Sequence, residues 1–130
     1  MSIMSDRSVA QKLLIKAQHT VRLVNAPHGY AETLGPLPAE AKLVAQPAKP
    51  VDVLQVFVKD MAELKKWLPQ MKDAVAVTGL LWVTYPKGTS AVKTDINRDI
   101  INAYANTVGW QTVAMISVDD TWSAMRMKRL

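Results

Sequence analysis

Residues 80–98, LLWVTYPKGTSAVKTDINR, pass from an apolar run through a basic turn to the start of a helix. Residues 80–85 are β-branched, aromatic or leucine, as a strand covered on both faces requires. Pro86 stops the run, and Lys87, Gly88, Thr89, Ser90 and Lys93 form a polar turn. Thr94 or Asp95 then offers a side-chain cap to a helix whose apolar positions are Ile96, Ile100, Ala103 and Tyr104, closed by Gly109. Strand, turn and helix in this order make one unit of an α/β sheet.

The same unit recurs upstream. Residues 51–58, VDVLQVFV, form an equally apolar strand, followed by Asp60 as a cap and by Met61, Leu64, Trp67, Leu68 and Met71 at helical spacing. Pro69 should divide or kink that helix, and Thr78-Gly79 should end it. Residues 21–24 form a shorter strand, broken by NAPHGY, and residues 30–34 add a turn or two of helix. A short amphipathic helix over residues 8–16, capped by Ser8, precedes them, and residues 41–45 make a weak strand before the turn at 46–50. Downstream, residues 112–118 and 121–128 flank Asp119-Asp120, a separation so short that the two strands must pair antiparallel. The expectation is a single Rossmann-like α/β domain over residues 1–130. It is a three-layer sandwich with a mainly parallel sheet and a C-terminal antiparallel hairpin.

Composition narrows the function. No apolar run reaches the roughly 18 to 20 residues of a membrane-spanning helix, and the N-terminus, MSIMSDRSVAQKLL, lacks a secretory pattern. With no cysteine in the chain, a cytoplasmic location is expected and no disulfide framework can form. The 16 Lys and Arg are interspersed with 11 Asp and Glu, so the net charge of +5 forms no stripe and argues against a dedicated nucleic-acid site. There is no GxSxG elbow, and His19 and His28 lack the spacing of a helical metal pair, which argues against hydrolase and metal chemistry.

The order of elements resembles a trimmed class I methyltransferase fold, which is Rossmann-like and closes with such a hairpin. More narrowly, NAPHGY, LLWVTYPKGTSAVKTDINRDI and VDDTWSAMRM resemble segments of a family of small bacterial proteins with this layout, a domain of unknown function that brings no established activity. The methyltransferase resemblance implies an acidic residue and a glycine-rich loop after the first strand, and an acidic residue after the second. Here the first strand runs into Asn25-Ala26-Pro27-His28-Gly29-Tyr30 and the second into Gln46. Both handles for S-adenosylmethionine are missing, so binding of that cofactor in the usual manner is not expected.

In open α/β sheets ligands sit outside the carboxyl ends of the strands. That rule selects the loops at 25–30, 59–60 and 86–93, expected to be neighbours. The candidate ligand-binding residues are Asn25, His28, Tyr30, Lys87, Gly88, Thr89, Ser90 and Lys93. Of these, His28 is the general acid or base by residue type. The Lys87 loop presents N–H groups and hydroxyls to an anion, with Lys87, Lys93 and Arg98 supplying charge, although Lys precedes Gly and it is therefore no Walker A loop. Two readings of different class follow. The favoured one is a non-catalytic binding or scaffold domain on a degenerate methyltransferase-like fold, with no cofactor. The alternative is an enzyme or sensor that takes an anionic metabolite or nucleotide at the carboxyl edge.

Overall fold

The computed structural model describes residues 7–46 and 49–130; Pro47 and Ala48, in the expected turn at 46–50, lie outside the described residues. The elements run α1 (Val9–Lys12), β1 (Thr20–Val24), α2 (Tyr30–Leu34), β2 (Lys42–Leu43), β3 (Val51–Phe57), α3 (Met61–Trp67), β4 (Val75–Pro86), α4 (Arg98–Thr107), β5 (Trp110–Ser117) and β6 (Trp122–Arg129). The six strands of the described residues join one sheet in the order β2-β1-β3-β4-β6-β5. The first four are parallel and β6 lies antiparallel between β4 and β5, so the mainly parallel sheet with a C-terminal hairpin is what the chain forms.

Alternation along β3 divides the interior into two layers. Leu54 and Val56 face α3 and α4, where Leu64, Leu68, Met71, Ile101 and Ala105 complete one core with Leu81, Val83 and Met125. Val53 and Phe57 face the other way, onto Val9, Leu13, Tyr30 and Leu34 of the first two helices, with Trp82 and Ala124 beside them. Each fully buried leucine or phenylalanine contributes about 1.5–3 kcal/mol, so both layers hold the sheet.

The first helix is shorter than its apolar pattern suggests. Ser8 caps it in a reciprocal box with Gln11, but Leu14 turns to φ 65°. The Ile15 N–H then donates to the Ala10 carbonyl at 3.2 Å, and Leu14 N–H to Gln11 at 3.0 Å, which closes the helix. Trp82 pins this end to β4 by donating its indole N–H to the Leu13 carbonyl at 3.1 Å.

Three other expectations are corrected. Thr78-Gly79 ends no helix: α3 passes into a 3₁₀ turn at Leu68–Asp73, where Pro69 is tolerated in the first turn. β4 begins at Val75 and leaves the ladder until Leu80, since Val51 pairs Val75 but Val53 pairs Leu80. At the point of return, a Cβ on Gly79 would lie 2.7 Å from the Asp52 carbonyl oxygen, so the side chain must be absent. The second strand holds only Lys42 and Leu43 of the expected 41–45.

The cap of α4 is neither Thr94 nor Asp95. Asn97 accepts from the Ile100 N–H at 2.9 Å, while Asp95 reaches across to accept from Met61 N–H at 2.8 Å and so serves the start of α3. The later start of the helix buries Ile101 and Ala105 and leaves Ile100 exposed. On the hairpin, Asp119 accepts from the N–H groups of Thr121 and Trp122 at 2.8 and 2.9 Å, a side-chain turn. In β5, Thr112 faces Met127 and Ala114 faces Arg126, so Val113 is an extra, bulged residue on an edge strand.

Candidate functional site

From β1 the chain steps outward to β2, then crosses back to β3 on the other side, so strand order reverses between β1 and β3. Ligands in such sheets enter the crevice at this reversal. Here it is a cleft of about 220 Å³, lined by Asn25, Ala26, Pro27, Phe57, Lys59, Glu63 and Trp122. Asn25 sits at φ 60°, a left-handed conformation that asparagine tolerates. From there its amide donates to the Phe57 carbonyl at 2.8 Å, which ties the end of β1 to the end of β3 across the crevice. Glu63 turns back to accept from Lys59 N–H at 2.8 Å. The floor is aromatic: Phe57 meets Tyr30 and Trp122 edge-to-face with ring centroids 4.6 and 5.2 Å away.

Behind this floor lies a buried polar pair. Gln55 donates its amide to the Thr84 hydroxyl at 2.9 Å, while its carbonyl oxygen and the Tyr30 hydroxyl have no hydrogen-bond partner among the described residues. Burial pushes the Tyr30 phenol up to about 12; the Gln55 amide opposes the shift and Asp119 adds to it. Gln55 thus lies close enough to bias the phenol but does not close a hydrogen bond of good geometry.

A second cleft opens at the carboxyl ends of β4, about 440 Å³ in volume. Its wall is built by Tyr85, Lys87 and Gly88 from the strand and turn, Ile96 and Arg98 at the head of α4, and Met115 and Ser123 from the hairpin. The turn is held by the hairpin: Lys87 donates its backbone N–H to Thr121 at 2.7 Å and its ammonium to the Ser117 hydroxyl at 2.6 Å. Tyr85 donates its hydroxyl to the Met115 thioether at 3.4 Å. Burial raises the Tyr85 phenol, against the opposing charge of Arg98 and a smaller effect of Ser123.

The candidate residues therefore separate. Asn25 lines the reversal cleft, and Lys87, Gly88 and Thr89 line the β4 cleft. Ser90 spends its hydroxyl on the Lys87 carbonyl at 2.9 Å. Tyr30 is interior, and His28 and Lys93 are exposed and line neither cleft. The 25–30 and 59–60 loops meet as neighbours, whereas the Lys87 loop keeps company with the hairpin. Arg98, whose charge the sequence already sets beside Lys87, lines the β4 cleft, while Phe57, Tyr85, Met115 and Ser123 are wall residues that no motif singles out. The strand-end rule would have found Phe57 and Tyr85; the hairpin residues require the antiparallel register, which no local motif encodes. Among the described residues no cluster of three or more His, Cys, Asp or Glu is placed to hold a metal ion, and no helix is long and apolar enough to cross a membrane.

The chain matches no family model and no curated protein sequence. Solved structures do match. A TehB-like SAM-dependent methyltransferase from Corynebacterium glutamicum superposes with a TM-score of 0.61 at 10% identity, over 97% of this chain and 89% of the other. A SAM-dependent methyltransferase from Aquifex aeolicus gives 0.60 at 12% identity, over 93% and 89%. The fold is that of class I methyltransferases. Another neighbour, the Burkholderia thailandensis 1,6-didemethyltoxoflavin-N1-methyltransferase, has S-adenosylhomocysteine bound; it matches at 0.59 with 11% identity, over 95% of this chain and 77% of the other.

The residues of this chain do not fit S-adenosylmethionine. Asn25 bridges the crevice that a cofactor would enter, Pro27 and a lone Gly29 replace a glycine-rich loop, and residues 41–51 contain no carboxylate for a ribose. The remaining space is below the roughly 300 Å³ at which ligand pockets begin.

Proposed function

We propose that this chain is a non-catalytic, single-domain binding or scaffold protein that retains the methyltransferase fold without its cofactor chemistry, acting in the cytoplasm of bacteria as a member of the small family its motifs resemble. The observation that carries this reading is the Asn25 bridge to the Phe57 carbonyl, a single protein hydrogen bond that crosses the reversal crevice and leaves a cleft of only about 220 Å³. Calorimetric titration with S-adenosylmethionine and S-adenosylhomocysteine tests it: no heat of binding is expected for either. Micromolar binding that is lost on replacing the 25–30 loop would overturn it.

The second reading, an enzyme or sensor for an anionic ligand, is favoured by the larger β4 cleft with Lys87 and Arg98 in its wall. A thermal-shift screen over nucleotides and phosphorylated metabolites separates the two, because a ligand of the folded state raises its melting temperature.

A further inference from the structure

The cleft beside β4 holds a donor that is poorly used. Tyr85 is 7% exposed, and its hydroxyl is spent on the Met115 thioether at 3.4 Å, an acceptor much weaker than any oxygen. The phenol is a protonated donor at neutral pH, burial raises its pKa further, and the Arg98 charge acts on it from the head of α4. Arg98 itself faces water, and its 3.9 Å approach to Asp99 is an exposed pair that constrains it little. A hydroxyl donor and a guanidinium thus converge on one cavity, while Ile96, Pro86 and Met115 give the same cavity apolar walls.

We propose that this cleft binds a small organic monoanion, a carboxylate carried on an aromatic or aliphatic body. The carboxylate takes a hydrogen bond from Tyr85, which exchanges a thioether for a charged oxygen, and pairs with Arg98. The apolar body lies on Ile96, Pro86 and Met115. Charge sets the class: with Lys87 and Arg98 opposed by Asp99, the wall carries one net positive charge, enough for a monoanion and too little for a polyphosphate. Asp99 also occupies the first turn of α4, where a dianion would meet it. The inference rests on reading the chain as a binding domain.

Phenylacetate is the probe, titrated calorimetrically at neutral pH into the full chain and into Arg98→Gln, Tyr85→Phe and Lys42→Ala. Binding is expected in the full chain and in Lys42→Ala, with a loss of about tenfold in each of the other two variants. Neutral 2-phenylethanol should bind at least about tenfold more weakly, as the lost charged hydrogen bond requires. Equal binding of acid and alcohol, undiminished binding in Arg98→Gln and Tyr85→Phe, or no phenylacetate binding at all would overturn the proposal. Tighter binding of phenyl phosphate would overturn the monoanion class. S-adenosylmethionine is titrated in the same series, since its binding would defeat the reading of the reversal crevice, whereas failure of phenylacetate alone defeats only this inference.

Discussion

The crevice between β1 and β3 and the cleft beside β4 open on the same edge of one sheet, yet they are made of different material. The first is floored by core residues, Phe57 above all, and crossed by the Asn25 amide. The second sets two core residues, Tyr85 and Ile96, opposite residues the fold can spare: Met115 is 47% exposed, and Arg98 belongs to the solvent face of α4. The position of a crevice is thus set by strand order, while its availability is set by which side chains end the strands. A fold shared with methyltransferases decides the first and leaves the second open.

This contrast can be broken or sharpened by substitution. The largest effect is expected from Phe57→Ala, which removes the floor of the reversal crevice and should cost about 3–5 kcal/mol of stability by chemical denaturation. Met115→Ala in the other wall should cost well under about 1 kcal/mol, as surface changes do. Comparable losses would erase the distinction.

The next effect depends on pH. The folded Tyr30 phenol titrates above its unfolded counterpart, so its neutral form stabilises the native state. That contribution is complete below pH 10 and is lost as pH rises towards about 12. Two units correspond to about 2–3 kcal/mol. Tyr30→Phe should therefore flatten the alkaline limb of the stability curve, measured by denaturation at stepped pH. An unchanged limb would place the phenol outside the core behind the crevice.

Asn25→Ala should cost about 1–2 kcal/mol, because alanine loses the bridge and strains at φ 60°. Asn25→Gly keeps the backbone conformation and should cost less. If the alanine variant were as stable as wild type, the bridge would be incidental and the crevice open to ligands. The smallest effect is expected from Asp95→Ala, about 1 kcal/mol, read as faster hydrogen exchange at Met61 rather than at Ile100. That outcome would confirm which helix the residue serves.

The parallel strands were legible because VDVLQVFV and LLWVTY are too apolar to face water on either side, and the hairpin because Asp119-Asp120 leaves room for nothing else. Helix boundaries were harder. Thr94, Asp95 and Asn97 are all capping residues within four positions, and choosing among them requires knowing that Met61, distant in sequence, presents an unpaired N–H to Asp95. An error in the cap rotates the helix, which is why Ile100 rather than Ile101 was expected inside. Residues 76–79 carry no signal of their departure from the ladder, since the reason lies in the approach of Gly79 to Asp52. At the edge, Asn25 and Lys87 were legible from strand ends. Met115 and Ser123 were not, because register brings them there.

The bulge at Val113 bears on how molecules of this chain meet one another. β5 is the outer strand of the sheet, and an unbroken outer strand is a template on which further chains can polymerise through backbone hydrogen bonds. Val113 and Met115 are both exposed there, so the strand is adhesive as well as unpaired. One supernumerary residue between Thr112 and Ala114 interrupts the spacing of its donors and acceptors. A second strand can therefore match the edge on one side of the bulge or on the other, but not along its whole length, which disfavours growth of a fibre from this edge.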